Sequence, residues 1–146
     1  MKTVTCNGCF DGLHPGHLFF LGYCRAQGDE LVVGINTDDY ITRKKRFKPL
    51  YTVEKRYTVL MALGIVKEVI VFDEPNPSDF IRKVRPSVHC TGEEYGYDCP
   101  EAPTCKEIGT KLVLVPRTQI WSTSDLSVIG MKWVSDFMRG LIENKT

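Results

Sequence analysis

Apolar residues recur along this chain in two alternating rhythms. Thr3 to Cys6 is a short β-prone stretch, and Gly8 and Gly12 mark a bend after it. From Gly16 to about Gln27, Leu18, Leu21, Tyr23 and Ala26 supply the apolar positions of a helix, and Gly28-Asp29 stops it. Leu31-Val32-Val33-Gly34-Ile35 is then a continuous apolar run, the pattern of a strand covered on both faces. The alternation repeats. Thr52 opens a helix through Leu63, with Glu54 and Lys55 in its first turn and Gly64 at its end. Val69 to Phe72 predicts a strand, and Ser78 is expected to cap a helix over Asp79 to Val84 that Pro86 ends. Val88 to Cys90 and Leu112 to Val115 predict two more strands, with a helix near Glu101 to Ile108 between them. Ser122 or Ser124 is expected to cap a last helical region reaching Ile142.

Strands that alternate with helices predict βαβ units, a parallel sheet and right-handed crossovers. The expected fold class is therefore α/β, a single doubly wound domain over residues 1–146 with a central parallel sheet of about five strands. Ligands of such sheets sit beyond the carboxyl ends of the strands, near the point where strand order reverses. The residues that follow each strand are the ones to inspect.

Composition narrows the partners. With 19 Lys and Arg against 18 Asp and Glu, the net charge of +1 gives no general attraction to nucleic acid or to a membrane surface. Any bound anion must be held by a local cluster. No apolar run approaches the ~20 residues of a membrane span, and the first residues lack a long apolar signal region. A cytoplasmic protein is expected, with no nucleic-acid or membrane partner, and its six cysteines are expected as reduced thiols.

After the first strand comes Asn7-Gly8-Cys9-Phe10-Asp11-Gly12-Leu13-His14-Pro15-Gly16-His17. Two of the chain's three histidines lie here, three positions apart, where a loop becomes a helix. A helix start offers free backbone N–H groups and the positive end of the dipole, a ready phosphate site. His17, one turn on, can share a face with His14 and stabilise charge that builds during phosphoryl transfer. A lone histidine there would read as a polar helix start; the pair in a glycine-punctuated loop reverses that preference.

This stretch resembles the His-x-Gly-His signature of the cytidylyltransferase-like nucleotidyltransferase family. That family includes glycerol-3-phosphate and phosphoethanolamine cytidylyltransferases and the heptose-1-phosphate adenylyltransferases. The similarity continues through Gly28 to Asp38 and on to about Leu126, and the Asn7-Gly8-Cys9-Phe10-Asp11 opening most resembles the heptose-phosphate enzymes. The resemblance implies a Rossmann-like nucleotidyltransferase fold. It also implies transfer of a nucleoside monophosphate from ATP or CTP to a phosphorylated small molecule, with pyrophosphate released. A sugar phosphate is the expected acceptor, with a glycerol-3-phosphate or phosphoethanolamine cytidylyltransferase as the alternative. Mg²⁺ is the expected cofactor, as a companion of the triphosphate, and a homodimer the expected assembly, with Trp133, Phe137 and Met138 giving the last helix an apolar face.

Residue roles follow from the same resemblance. His14 and His17 are expected at the α-phosphate, with Lys44 or Lys45, from the basic run Arg43 to Lys48, reaching back as a clamp. Arg117, Ser122 and Thr123 are expected to hold the β- and γ-phosphates, with Arg56 near them. Cys9, Phe10, Gly16, Gly92 and Glu94 are expected around the nucleotide, Asp38 at the acceptor, and Asp11 at the acceptor or the metal. One reading of another class rests on Cys6-Asn7-Gly8-Cys9, since Cys-x-x-Cys after a strand is also a redox signal. It requires the second cysteine to feed directly into a helix, whereas the helical pattern here starts near Gly16.

Overall fold

Strand β1 (Thr3–Gly8) lies at the centre of a five-stranded sheet in the order β3-β2-β1-β4-β5. A computed structural model describes residues 1–117 and Arg139. In chain order β1 leads to α1 (Pro15–Arg25), β2 (Glu30–Asn36), α2 (Asp38–Lys45), α3 (Val53–Ala62) and β3 (Glu68–Phe72). Then follow α4 (Ser78–Val84), β4 (Val88–Gly92), a 3-10 turn (Glu93–Tyr95), α5 (Ala102–Ile108) and β5 (Lys111–Val115). Every strand pair is parallel, with Thr3 to Gly8 of β1 opposite Glu30 to Ile35 of β2. The expected α/β class and parallel sheet are borne out.

The period of two along the strands separates two cores. On one face Val4 and Cys6 of β1, Leu31, Val33 and Ile35 of β2, and Cys90 of β4 pack with Leu21 and Cys24 of α1 and Leu60 of α3. On the other, Val32 packs with Phe72, Phe80 and Ile81 of the β3–α4 segment and Cys105 of α5. Each fully buried aliphatic side chain contributes about 1.5–3 kcal/mol. Gly34 belongs to the second face because a Cβ there would meet the Phe72 and Phe80 rings at 2.9 Å.

Three local outcomes differ from the sequence reading. Helix α2 was not anticipated: Thr37 caps it by accepting the Tyr40 N–H at 3.1 Å, Asp38 and Asp39 fill its first turn, and Arg43, Lys44 and Lys45 its last. The first half of the basic run, Arg43 to Lys45, is therefore the last turn of a helix, and Arg46 ends it in the left-handed region. Ser78 is the first residue of α4 and not its cap; Asn76 Oδ1 accepts both the Ser78 N–H (3.0 Å) and its hydroxyl (2.7 Å). Helix α1 begins one residue before Gly16, at Pro15, and ends at Arg25. The last predicted helix, with Ser122, Thr123, Trp133, Phe137 and Met138, lies outside the described residues.

Candidate active site

A cleft of about 760 Å³ opens beyond the carboxyl ends of the strands, where β1 is flanked by β2 on one side and β4 on the other. Asn7 and Gly8 from β1, Asn36 from β2, Phe72 from β3, and Thr91 and Gly92 from β4 contribute to its walls. His14, His17, Lys44 and Lys45 stand on one side; Glu94, Tyr95 and Glu101 stand on the other. The cleft is thus basic towards α1 and α2 and acidic towards the β4–α5 segment.

The two histidines are built into the start of α1. His14 is the N-cap residue, and its Nδ1 accepts the Gly16 N–H at 3.0 Å. His17, in turn, accepts the His14 N–H on its own Nδ1 at 3.2 Å. This is a capping box made of imidazoles, where hydroxyl and carboxyl groups are the usual choice. Accepting at Nδ1 leaves the proton of each ring on Nε2. The rings lie 3.8 Å apart, so two N–H donors are presented together at a helix N-terminus. Burial, then the neighbouring His14 and Lys45, hold the His17 pKa down at about 4. His17 is accordingly a neutral donor at physiological pH.

Phe10 supports this arrangement. Its backbone sits in the left-handed region at φ 48°, and its ring meets His17 edge-on at 5.7 Å. Gly8 makes room for it, because a Cβ there would stand 3.0 Å from the Phe10 ring. Lys44 and Lys45 reach the cleft from the last turn of α2, so the expected clamp is carried on a helix end.

Several expected contacts are placed elsewhere. Arg56 is only 1% exposed and does not line the cleft. Its guanidinium donates to the Tyr51 carbonyl (3.2 Å), the Cys9 carbonyl (3.0 Å) and Asp38 Oδ1 (2.7 Å). Asp38 also accepts the Val53 N–H at 3.2 Å, so both residues are committed to joining α2, α3 and the Cys9 loop. Arg56 and Asp38, expected at the phosphates and the acceptor, are here engaged with each other and with the backbone of these segments. Asp11 lines the cleft, but its two carboxylate oxygens accept the Leu50 N–H (2.6 Å) and the Tyr51 N–H (2.8 Å), which fastens the α2–α3 connection. Arg117 is exposed outside the cleft wall, with its backbone N–H donated to Glu93 Oε1 at 2.8 Å. Gly16 contributes its N–H to the His14 ring, and Glu94 folds back over Gly92. Ser122 and Thr123 lie outside the described residues.

The sequence reading passed over Glu101, which is 5% exposed yet lines the cleft. Its position before a proline-bearing helix reads as an ordinary cap, and nothing local marks it as a cleft residue. The Cys-x-x-Cys reading finds no support in geometry. Cys6 is fully buried in β1, Cys9 donates to Asn36 Oδ1 at 3.6 Å, and neither opens a helix.

Comparison with known proteins agrees with the geometry. The family model described as cytidylyltransferase-like matches residues 5–137. The bifunctional protein HldE of Pseudomonas aeruginosa is 45% identical over 98 residues, and that of Azotobacter vinelandii 46%. These alignments cover 66% of this chain but 21% of each relative, so the chain spans about a fifth of their length. Among solved structures, a lipopolysaccharide core biosynthesis protein from Thermoplasma volcanium superposes with a TM-score of 0.64 at 27% identity, over 81% of this chain and 97% of its own. Pantothenate synthetase from Thermus thermophilus shares the fold at a TM-score of 0.54 and 14% identity, over 80% of this chain and 56% of its own. With a matched family model over most of its length and a His-x-Gly-His helix start facing the cleft, the chain belongs to the cytidylyltransferase-like family of nucleotidyltransferases.

Proposed function

We propose that this protein transfers a nucleoside monophosphate from ATP or CTP to a sugar phosphate, and that its reaction is that of a heptose-1-phosphate adenylyltransferase. The observation that carries this reading is the pair of Nε2–H donors of His14 and His17 at the start of α1, on the same side of the cleft as Lys44 and Lys45. Imidazole N–H donors, a helix N-terminus and cations together suit a triphosphate. The sugar-phosphate acceptor is supported by the similarity to HldE and to the lipopolysaccharide core biosynthesis protein.

The acceptor's phosphate oxygen attacks the α-phosphorus, the bond between the α-phosphorus and the bridging oxygen of the β-phosphate breaks, and pyrophosphate leaves. No covalent enzyme intermediate is required, so the protein contributes position and charge stabilisation. His14 and His17 donate to the non-bridging oxygens as charge builds, and Lys44 or Lys45 neutralises the phosphates. Mg²⁺ would arrive with the triphosphate and supply charge neutralisation to the departing pyrophosphate.

Pyrophosphate release tests the reading, with four triphosphates crossed against heptose and hexose 1-phosphates, glycerol-3-phosphate and phosphoethanolamine. Turnover of ATP with a sugar 1-phosphate is expected. Turnover confined to CTP with glycerol-3-phosphate or phosphoethanolamine would replace it with the cytidylyltransferase alternative.

A further inference from the structure

A line of buried polar side chains crosses the sheet and ends in the cleft. Thr5 of β1 and His89 of β4 both point to the face that carries α4 and α5, and both are fully buried. Thr5 Oγ1 and His89 Nδ1 are 2.8 Å apart, a hydrogen bond that fixes the imidazole ring. The other ring nitrogen, Nε2, faces Glu101 Oε1 at 3.4 Å without the alignment of a hydrogen bond, and it has no other partner. Glu101 stands at the N-cap position of α5 but makes no side-chain cap bond, so helix capping does not account for its carboxylate.

Burying three polar groups in an otherwise apolar sheet is costly unless they are paired. Here the pairing is incomplete at the cleft end. Burial pushes the Glu101 carboxyl up, but His89, its own backbone N–H and Cys99 together hold it below the usual value. A carboxylate that is buried, ionised and still open to a cleft accepts hydrogen bonds from whatever enters. The phosphates belong at the opposite, basic side by His14, His17 and the two lysines, so the neutral hydroxylated part of a substrate falls to this side. Pro75, Pro77 and Pro100 border it with rigid apolar surface, which excludes water and strengthens such bonds.

We propose that Glu101, seated by His89 and Thr5, is the group that recognises sugar hydroxyls in this cleft. The inference rests on the nucleotidyltransferase reading above and adds the residue that selects a polyhydroxylated substrate. The hydroxyls come from the acceptor sugar or from the ribose of the nucleotide, and kinetics separate the two. Glu101 binds substrate directly; His89 is a positioning residue that acts through it.

The test is steady-state pyrophosphate release by the full chain with ATP and a productive sugar 1-phosphate, repeated with deoxy-sugar 1-phosphates and with 2′-deoxy-ATP. Glu101→Gln is expected to raise the KM of one substrate by roughly 10- to 100-fold, the worth of a hydrogen bond to a charged group, with kcat within about threefold. It is also expected to erase the discrimination between that substrate and its deoxy analogue. A shift in the KM of the sugar phosphate names the acceptor as the source, and a shift in the KM of ATP names the ribose. His89→Leu should reproduce the KM shift, and His89→Gln, which restores an N–H near the position of Nε2, should reverse most of it. If Glu101→Gln fails to fold, the two His89 variants carry the test alone. Wild-type KM values and wild-type discrimination in a folded Glu101→Gln or His89→Leu protein would overturn the proposal. Turnover restricted to phosphoethanolamine would overturn the sugar-phosphate reading itself, which is a separate failure.

Discussion

The guanidinium of Arg56 lies 2.7 Å from Asp38 Oδ1, with the arginine side chain fully buried and the aspartate partly open. Arg56 also donates to the carbonyls of Cys9 and Tyr51, so one side chain joins three segments behind the cleft. Removing the guanidinium strands the Cys9 and Tyr51 carbonyls, while the partly exposed Asp38 keeps the Val53 N–H, so the cost is about 1–3 kcal/mol. Arg56→Ala is expected to lower the unfolding free energy by that order, read from urea titrations followed by circular dichroism. Arg56→Lys should recover only part of it, because an ammonium cannot fork to three fixed acceptors.

Asp11 makes a second tie, receiving the N–H groups of Leu50 and Tyr51. Asp11→Ala is predicted to cost about 1–3 kcal/mol and to free the connection between α2 and α3. Limited proteolysis should then cut between residues 46 and 52 several times faster than in wild type. An unchanged cleavage rate would show that Asp11 does not hold this segment.

The depressed pKa of His17 gives a signed pH dependence. The unfolded imidazole takes up its proton near 6.5, the folded one only at about 4, so the unfolded state binds more protons between these values. Stability is therefore undiminished above pH 6.5 and falls as the pH drops from 6.5 towards 4. His17→Asn should flatten this slope in urea titrations at pH 7.5, 6 and 5. A slope that survives unchanged in the variant belongs to other groups.

Cys9 separates the family chemistry from redox chemistry. Its thiol lines the cleft and touches Asn36, but no step of nucleotidyl transfer uses a thiol. Cys9→Ala is expected to keep pyrophosphate release within about fivefold of wild type, against a loss of 100-fold or more for a donor aimed at developing charge. Loss of activity in Cys9→Ala with full activity in His14→Ala would reverse the assignment.

The sheet and the His14–His17 helix start were legible in the sequence because both have short-range signatures. Leu31 to Ile35 reads as a doubly buried strand, and Pro15-Gly16 between two histidines reads as a phosphate-binding helix start. Helix α2 was missed although Thr37-Asp38-Asp39 is a helix-start signal, because the basic run that follows looked like a solvated loop. The burial of Arg56 had no local signal at all. Its partners, Cys9 and Asp38, lie 47 and 18 positions away, and only the packing of α3 against the Cys9 loop brings them together. Glu101 escaped for the same reason, since it stands at the start of α5 while its neighbour His89 belongs to strand β4.

The geometry of His14 and His17 is most directly tested by single-turnover and steady-state pyrophosphate release with ATP and a sugar 1-phosphate. His14→Ala and His17→Ala, each shown to be folded by thermal melting, are predicted to lower kcat by about 100-fold or more, as the loss of a donor to a developing charge does. The KM for ATP should change far less. Wild-type kcat in both variants would contradict the assignment of this helix start as the catalytic wall of the cleft.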